Sequence, residues 1–151
     1  MSKPKIGFIG IGLMGAAMCN RLLDEGYELT IVANRSRERV EALAARGASE
    51  VTSAREVAEA SDLVMLCVDS SVSVESRMYG SEGVIAGLAP GKIVIDFGTS
   101  LPASTKKIGA AVAEAGATYL DCPIGRTPSH ALEGKLNLMC SGDVTAYERV
   151  E

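Results

Sequence analysis

The stretch that most constrains this chain is Gly10-Ile11-Gly12-Leu13-Met14-Gly15, a G-x-G-x-x-G run. It follows the apolar segment Ile6-Gly7-Phe8-Ile9 and precedes a helix-like segment from Ala16 to Glu25. A buried strand that turns through glycines into a helix presents free backbone N–H groups and the positive end of a helix dipole to an anion. In such a turn the first glycine permits the tight reversal, and the second lets backbone approach a pyrophosphate. The third lets helix and strand pack closely. Three glycines alone occur in ordinary strand-to-helix turns; the flanking strand and helix are what point to dinucleotide binding.

The remaining chain repeats the same alternation. Apolar residues Met14, Ala17, Met18 and Leu22 fall at helical spacing, and Gly26 is placed to end that helix. Leu29-Thr30-Ile31-Val32-Ala33 reads as a second strand. A helix follows with Val40, Leu43 and Ala44 on one face, stopping at Gly47, and a weak third strand lies near Ala48 to Val51. Ser53 is expected to cap a short helix ending near Ala60. Leu63 to Val68 is apolar throughout, as a parallel strand covered on both faces requires. A polar loop from Asp69 to Ser73 leads into a helix. Lys92 to Asp96, Thr118 to Asp121 and Leu136 to Cys140 complete the strands, with a helix opened by Pro102 between the first two. Strands alternating with helices over 151 residues predict one α/β domain, a doubly wound and mostly parallel sheet of Rossmann type.

Composition narrows the ligand. Aromatics are 4% with no Trp, which disfavours base stacking or a sugar platform built from aromatic rings, and the net charge of −4 provides no basic field for nucleic acid. An anionic ligand must therefore be held by local N–H groups and a few placed cations. Cys19, Cys67, Cys122 and Cys140 form no C-x-x-C pair, and single His130 cannot complete a common zinc set, so free thiols in a reducing cytoplasm are expected. No apolar run reaches spanning length, so neither a membrane nor a nucleic acid is an expected partner.

The residue about 20 positions past a dinucleotide glycine turn meets the adenine ribose, and a carboxylate there selects a free 2′-hydroxyl. This chain has Asn34-Arg35-Ser36 instead. Arg35 can pair with a phosphate through its planar fork, and Asn34 and Ser36 can donate hydrogen bonds, which favours NADP over NAD. Arg37 and Arg39 are read as a solvated helix face neutralised by Glu38 and Glu41. An S-adenosylmethionine site fits poorly, because such sites usually carry an acidic residue at this strand end.

The chain resembles the β-hydroxyacid dehydrogenase family, which includes 3-hydroxyisobutyrate dehydrogenases and is akin to 6-phosphogluconate dehydrogenases. The matching stretches are Gly7 to Gly15, Val94-Ile95-Asp96-Phe97-Gly98-Thr99-Ser100 and Asp121-Cys122-Pro123-Ile124-Gly125. By that resemblance, Leu13 and Met14 line the pyrophosphate with Gly10, Gly12 and Gly15, while Asn34, Arg35 and Ser36 hold the 2′-phosphate. Val68 sits by the nicotinamide ribose, although Val68-Asp69 stands where the family usually has Leu-Pro. Thr99 lies beside the nicotinamide; the plain alternative is a cap for the following helix. The substrate loop usually reads Asp-x-Pro-Val-Ser-Gly-Gly, and here Gly125-Arg126-Thr127 replaces its end, similar to sulfolactaldehyde reductases, with Arg126 expected to hold an anionic tail.

The resemblance also implies a catalytic lysine in a later helix, beyond Glu151. The chain is therefore expected to be the N-terminal domain of a homo-oligomeric enzyme, binding cofactor but lacking its catalytic and dimerising helical half. Lys135 is expected to be solvated, and a catalytic part for His130 is not favoured. A non-catalytic NADP-binding module and a plain carboxylate dehydrogenase of the 3-hydroxyisobutyrate kind are the alternatives.

Overall fold

The computed structural model describes residues 2–151. Six parallel strands form one sheet: β1 (Ile6–Ile9), β2 (Leu29–Val32), β3 (Ser49–Val51), β4 (Leu63–Leu66), β5 (Ile93–Asp96) and β6 (Thr118–Asp121). They lie in the order β3-β2-β1-β4-β5-β6. The order runs outward in both directions from the β1–β4 pair, so the loops after β1 and β4 diverge there and leave a crevice at the carboxyl ends of the strands.

The pattern of the strands explains how both faces are covered. Successive side chains in a strand point to opposite faces. Ile93 and Ile95 join one core with Ile6, Phe8, Ile31 and Leu120, while Val94 joins the other with Ile9, Val32, Val64 and Leu66. The first core is closed by α1 (Leu13–Asp24) and α2 (Arg37–Ala45), and further by two helices late in the chain. The second is closed by α3 (Ala54–Ala60), α4 (Ser71–Met78), α5 (Val84–Gly87) and α6 (Pro102–Glu114). Serines define several helix starts: Ser36, Ser53 and Ser70 accept from the backbone N–H of Arg39, Glu56 and Ser73.

Past β6 the chain leaves the sheet. Pro123 cannot donate to a ladder, and residues beyond it form a separate two-stranded antiparallel hairpin of β7 (Ile124–Gly125) and β8 (Asn137–Leu138). Within it α7 (Pro128–Leu132) packs across α1, burying Ala131, and α8 (Val144–Val150) follows with Asp143 as its cap.

Two expectations are corrected. The run Leu136 to Cys140 does not join the parallel sheet as a full strand: Asn137–Leu138, both exposed, pairs antiparallel with β7, Met139 N–H donates to the Pro123 carbonyl at 3.0 Å, and an isolated bridge joins Ser141 to Asp121 of β6. Ala44 is exposed, since the short helix α2 turns only Val40 and Leu43 inward. α8 packs through Ala146, while Val144 and Tyr147 are exposed. Among the described residues no helix is long and apolar enough to cross a membrane.

Candidate functional site

The glycine turn is built by steric necessity. Gly10 has φ +104° and lies against the carbonyl of Cys67, so a Cβ there would overlap the end of β4. A Cβ on Gly15 would overlap the carbonyl oxygen of Gly10, which is how closely α1 is drawn onto the turn. Gly12 differs: nothing lies within 4 Å of a Cβ placed there, and its exposed backbone opens to the crevice. It is the N-cap of α1 with no side chain bonding the helix end. The N–H groups of Leu13, Met14 and Gly15 are therefore left without intrahelical partners at the positive end of a twelve-residue helix.

A cleft of about 410 Å³ opens from this turn. One wall carries Asn34, Arg35, Ser36 and Arg39 from the β2–α2 turn; the other carries Val68, Asp69, Ser73, Ser76 and Arg77 from the end of β4 and α4; Cys67 lies between them. Gly10, Gly12, Asn34, Arg35, Ser36 and Val68 were each expected at a ligand from sequence, and the fold brings them to one cleft. Ser36 accepts from Arg39 N–H at 3.5 Å, leaving its hydroxyl proton free to donate. Burial, followed by the charge of Asp96, pushes the Cys67 thiol up to about 11, so it is neutral at physiological pH.

The arginines separate by their partners. Arg37 pairs with Glu50 and, at 3.6 Å, with Glu41, as a solvated helix face should. Arg39 departs from that expectation: it is half-buried and lines the cleft. Among the described residues Arg35, Arg39 and Arg77 have no ion-pair partner within 4.0 Å. Three guanidinium groups against the single carboxylate of Asp69 make a locally basic cleft in a chain of net charge −4. Asp69 is held below the usual carboxylate range chiefly by the Ser73 hydroxyl, which donates at 2.5 Å, with Arg35 adding attraction.

Thr99, Leu13, Met14 and Gly15 border the region without lining this cleft. Thr99 is exposed and is not a helix cap; Leu101 holds that position in α6, its N–H donating to Ser71 Oγ at 2.8 Å. The loop carrying Thr99 is pinned by Asp96, which is fully buried. Its carboxylate accepts from Gly98 N–H at 2.8 Å, Tyr119 hydroxyl at 3.0 Å and Ser100 hydroxyl at 3.1 Å. Asp96→Ala leaves those donors unpartnered and is expected to cost about 3 kcal/mol in urea unfolding, against about 1 kcal/mol for Asp96→Asn. Equal costs would mean that the carboxylate organises nothing.

Gly125, Arg126 and Thr127 lie at the hairpin, away from that cleft. Arg126 adopts φ +77°, a left-handed conformation uncommon outside glycine, and donates to the carbonyl of Lys135 at 2.9 Å. Thr127 Oγ1 is 2.7 Å from His130 Nδ1, so this histidine braces the start of α7. Lys135 is exposed and paired with Glu133 at 2.8 Å. The residues missed from sequence are Asp69, Ser73, Ser76 and Arg77. Ser73, Ser76 and Arg77 stand on α4 and Asp69 lies just before its cap Ser70; their signal in the sequence was a polar stretch directly after a buried strand.

Known proteins share this fold. Residues 5–151 match the NAD binding domain of 6-phosphogluconate dehydrogenase. An Arabidopsis thaliana protein named as a probable mitochondrial 3-hydroxyisobutyrate dehydrogenase-like 2 is 36% identical, covering 97% of this chain and 49% of its own. The NAD-dependent L-serine dehydrogenase of Pseudomonas aeruginosa is 37% identical, covering 96% and 48%. The structure of Psf3 in complex with NADP+ and 2-OPP superposes with a TM-score of 0.89 at 34% identity, covering 96% and 51%. The chain thus spans about half the length of the relatives it matches. On the match over residues 5–151, with the glycine turn and strand order that accompany it, the chain belongs to the NAD-binding-domain family of 6-phosphogluconate dehydrogenase and the 3-hydroxyisobutyrate dehydrogenase-like proteins.

Proposed function

We propose that this chain is the NADP(H)-binding part of an oxidoreductase that interconverts a short anionic hydroxy acid or sulfonate and its semialdehyde. The observation that carries the reading is the uncapped N-terminus of α1 opening at the strand-order reversal onto a cleft walled by Arg35 and Arg39. The free N–H groups of Leu13 to Gly15 suit a pyrophosphate. Arg35, Arg39 and the donors of Asn34 and Ser36 suit a 2′-phosphate at the other end. When bound, the nicotinamide supplies the hydride acceptor or donor. Thr99, on the loop pinned by Asp96, is suited to orient the ring.

Arg126 is proposed to grip the substrate's anionic group. A guanidinium held in a left-handed turn retains free N–H donors beyond the one given to Lys135, and its strain is tolerated where position matters. A lysine outside this chain is proposed to move the proton, and the whole protein to be a homo-oligomer. Turnover is best tested in the protein extended to its relatives' length, with NADPH and a panel of carboxylated and sulfonated semialdehydes. Arg126→Ala is expected to raise KM for the anionic substrate at least ~10-fold while leaving KM for NADPH within about twofold. Equal effects on both would reject the assignment.

A further inference from the structure

Beyond the phosphate contacts, and resting on the dinucleotide reading, we infer that Arg77 is the adenine clamp of this cleft: its guanidinium lies over the base whichever cofactor is bound. Four observations lead there. Arg77 stands on α4, across the cleft from the wall that carries Asn34, Arg35 and Ser36. It is half-buried, yet among the described residues it has no ion pair within 4.0 Å. The nearest acid along its own helix is spent elsewhere, since Glu75 accepts from Ser104 Oγ at 2.7 Å across to α6. No aromatic residue lines the cleft, so a planar guanidinium is the group that can stack on a flat heterocycle.

Charge decides between base and phosphate as the partner of Arg77. Asp69 lies on the same wall and stays ionised, with its carboxylate held below the usual range. Asp69 also feels Arg35, so its charge reaches both walls, but the β2–α2 wall sets two cations, Arg35 and Arg39, and the donors of Asn34 and Ser36 against it, while among the described residues the α4 wall has Arg77 alone. The phosphate therefore goes to the β2–α2 turn, and the neutral base falls between the two walls, against Arg77. Ser76 lines the cleft beside the clamp; its hydroxyl donates to the Ser73 carbonyl at 2.8 Å and keeps lone pairs to accept from the exocyclic amine of the base.

The test uses this chain with 5′-AMP and 2′,5′-ADP as probes, read by calorimetry. Arg77→Ala is expected to weaken both ligands by the same factor, ~10-fold, with little recovery in Arg77→Lys, which keeps the charge and loses the plane. A loss confined to 2′,5′-ADP would make Arg77 a phosphate ligand and overturn the inference, as would full recovery in Arg77→Lys or no loss at all. Should Arg77→Ala fail to fold, Arg77→Lys alone decides: a ~10-fold loss on both ligands supports the clamp, and wild-type affinity refutes it. Wild-type protein that binds neither probe overturns the nucleotide reading itself. Wild-type binding that Arg77→Ala leaves untouched overturns only the clamp.

Discussion

Gly12→Ala is expected to leave the thermal midpoint within about 2 °C of wild type while weakening NADPH and NADH at least ~30-fold. The two halves of that result have separate causes. Gly12 has φ −85°, which any residue adopts, and a Cβ on it meets nothing within 4 Å, so the fold has no reason to object. The same open space is where a pyrophosphate must come up against the N–H groups of Leu13 and Met14. A methyl group in that space holds the phosphate off its donors, and charge-assisted hydrogen bonds lengthened by an ångström lose most of their worth. Gly15→Ala is the contrasting control. Its Cβ would overlap the carbonyl oxygen of Gly10, and strain against backbone is relieved only by moving α1 away from β1. A cost of about 3 kcal/mol or more is expected, lowering the midpoint by roughly 6–12 °C. Fluorescence titration with NADPH and a melting curve, run on both variants, separate the roles. A Gly12→Ala protein of unchanged affinity would show that no pyrophosphate sits at this helix end.

Arg35→Ala should abolish any preference for NADPH over NADH. The lost interaction is a guanidinium–phosphate pair, about 2–3 kcal/mol for a charged partner. That corresponds to a ~30–160-fold weaker NADPH complex, with NADH within about threefold. Arg35 is exposed and has no ion-pair partner within 4.0 Å among the described residues, so its removal frees no buried charge and costs the fold little. Asp69 sets the background for this measurement, because its negative charge near Arg35 offsets part of the attraction in the wild-type cleft. Calorimetric titration with each nucleotide is the check. If both affinities fell together, Arg35 would be serving the adenosine as a whole and not its 2′-phosphate.

The order of elements and the parallel class of the sheet were legible in the chain itself, as was the set Gly10, Gly12, Asn34, Arg35, Ser36 and Val68 that the fold brings to one cleft. Those signals are local. A run such as Leu63 to Leu66 is apolar at every position because both faces of its strand are covered, while Gly10 is marked by its own positive φ and Gly15 by the carbonyl of Gly10 five residues before it. Ser36 and Ser53 mark helix starts because the cap bonds a residue three positions on. Where a signal depended on a partner far along the chain, sequence reading failed. Leu136 to Cys140 has the composition of a buried strand, but Pro123 had already led the backbone off the sheet, and the run pairs with the short β7 and the Pro123 carbonyl instead of with a full strand. Arg37 and Arg39 look alike in sequence; Glu50 on β3 claims one, and no carboxylate comes within 4.0 Å of the other among the described residues.

The glycine turn and the strand that feeds it were thus legible in sequence alone, because a positive φ at Gly10 and the close approach of Gly15 to the Gly10 carbonyl are demands made within a few residues. The second wall of the cleft was decided by the tertiary structure. Asp69, Ser73, Ser76 and Arg77 lie some sixty residues past the glycine run, and the β1–β4 pairing alone carries α4 across from Arg35. A hydrophobic run can specify that β4 is a buried strand. Which strand it pairs with, and so which side chains face each other across the crevice, depends on how all six strands share one core.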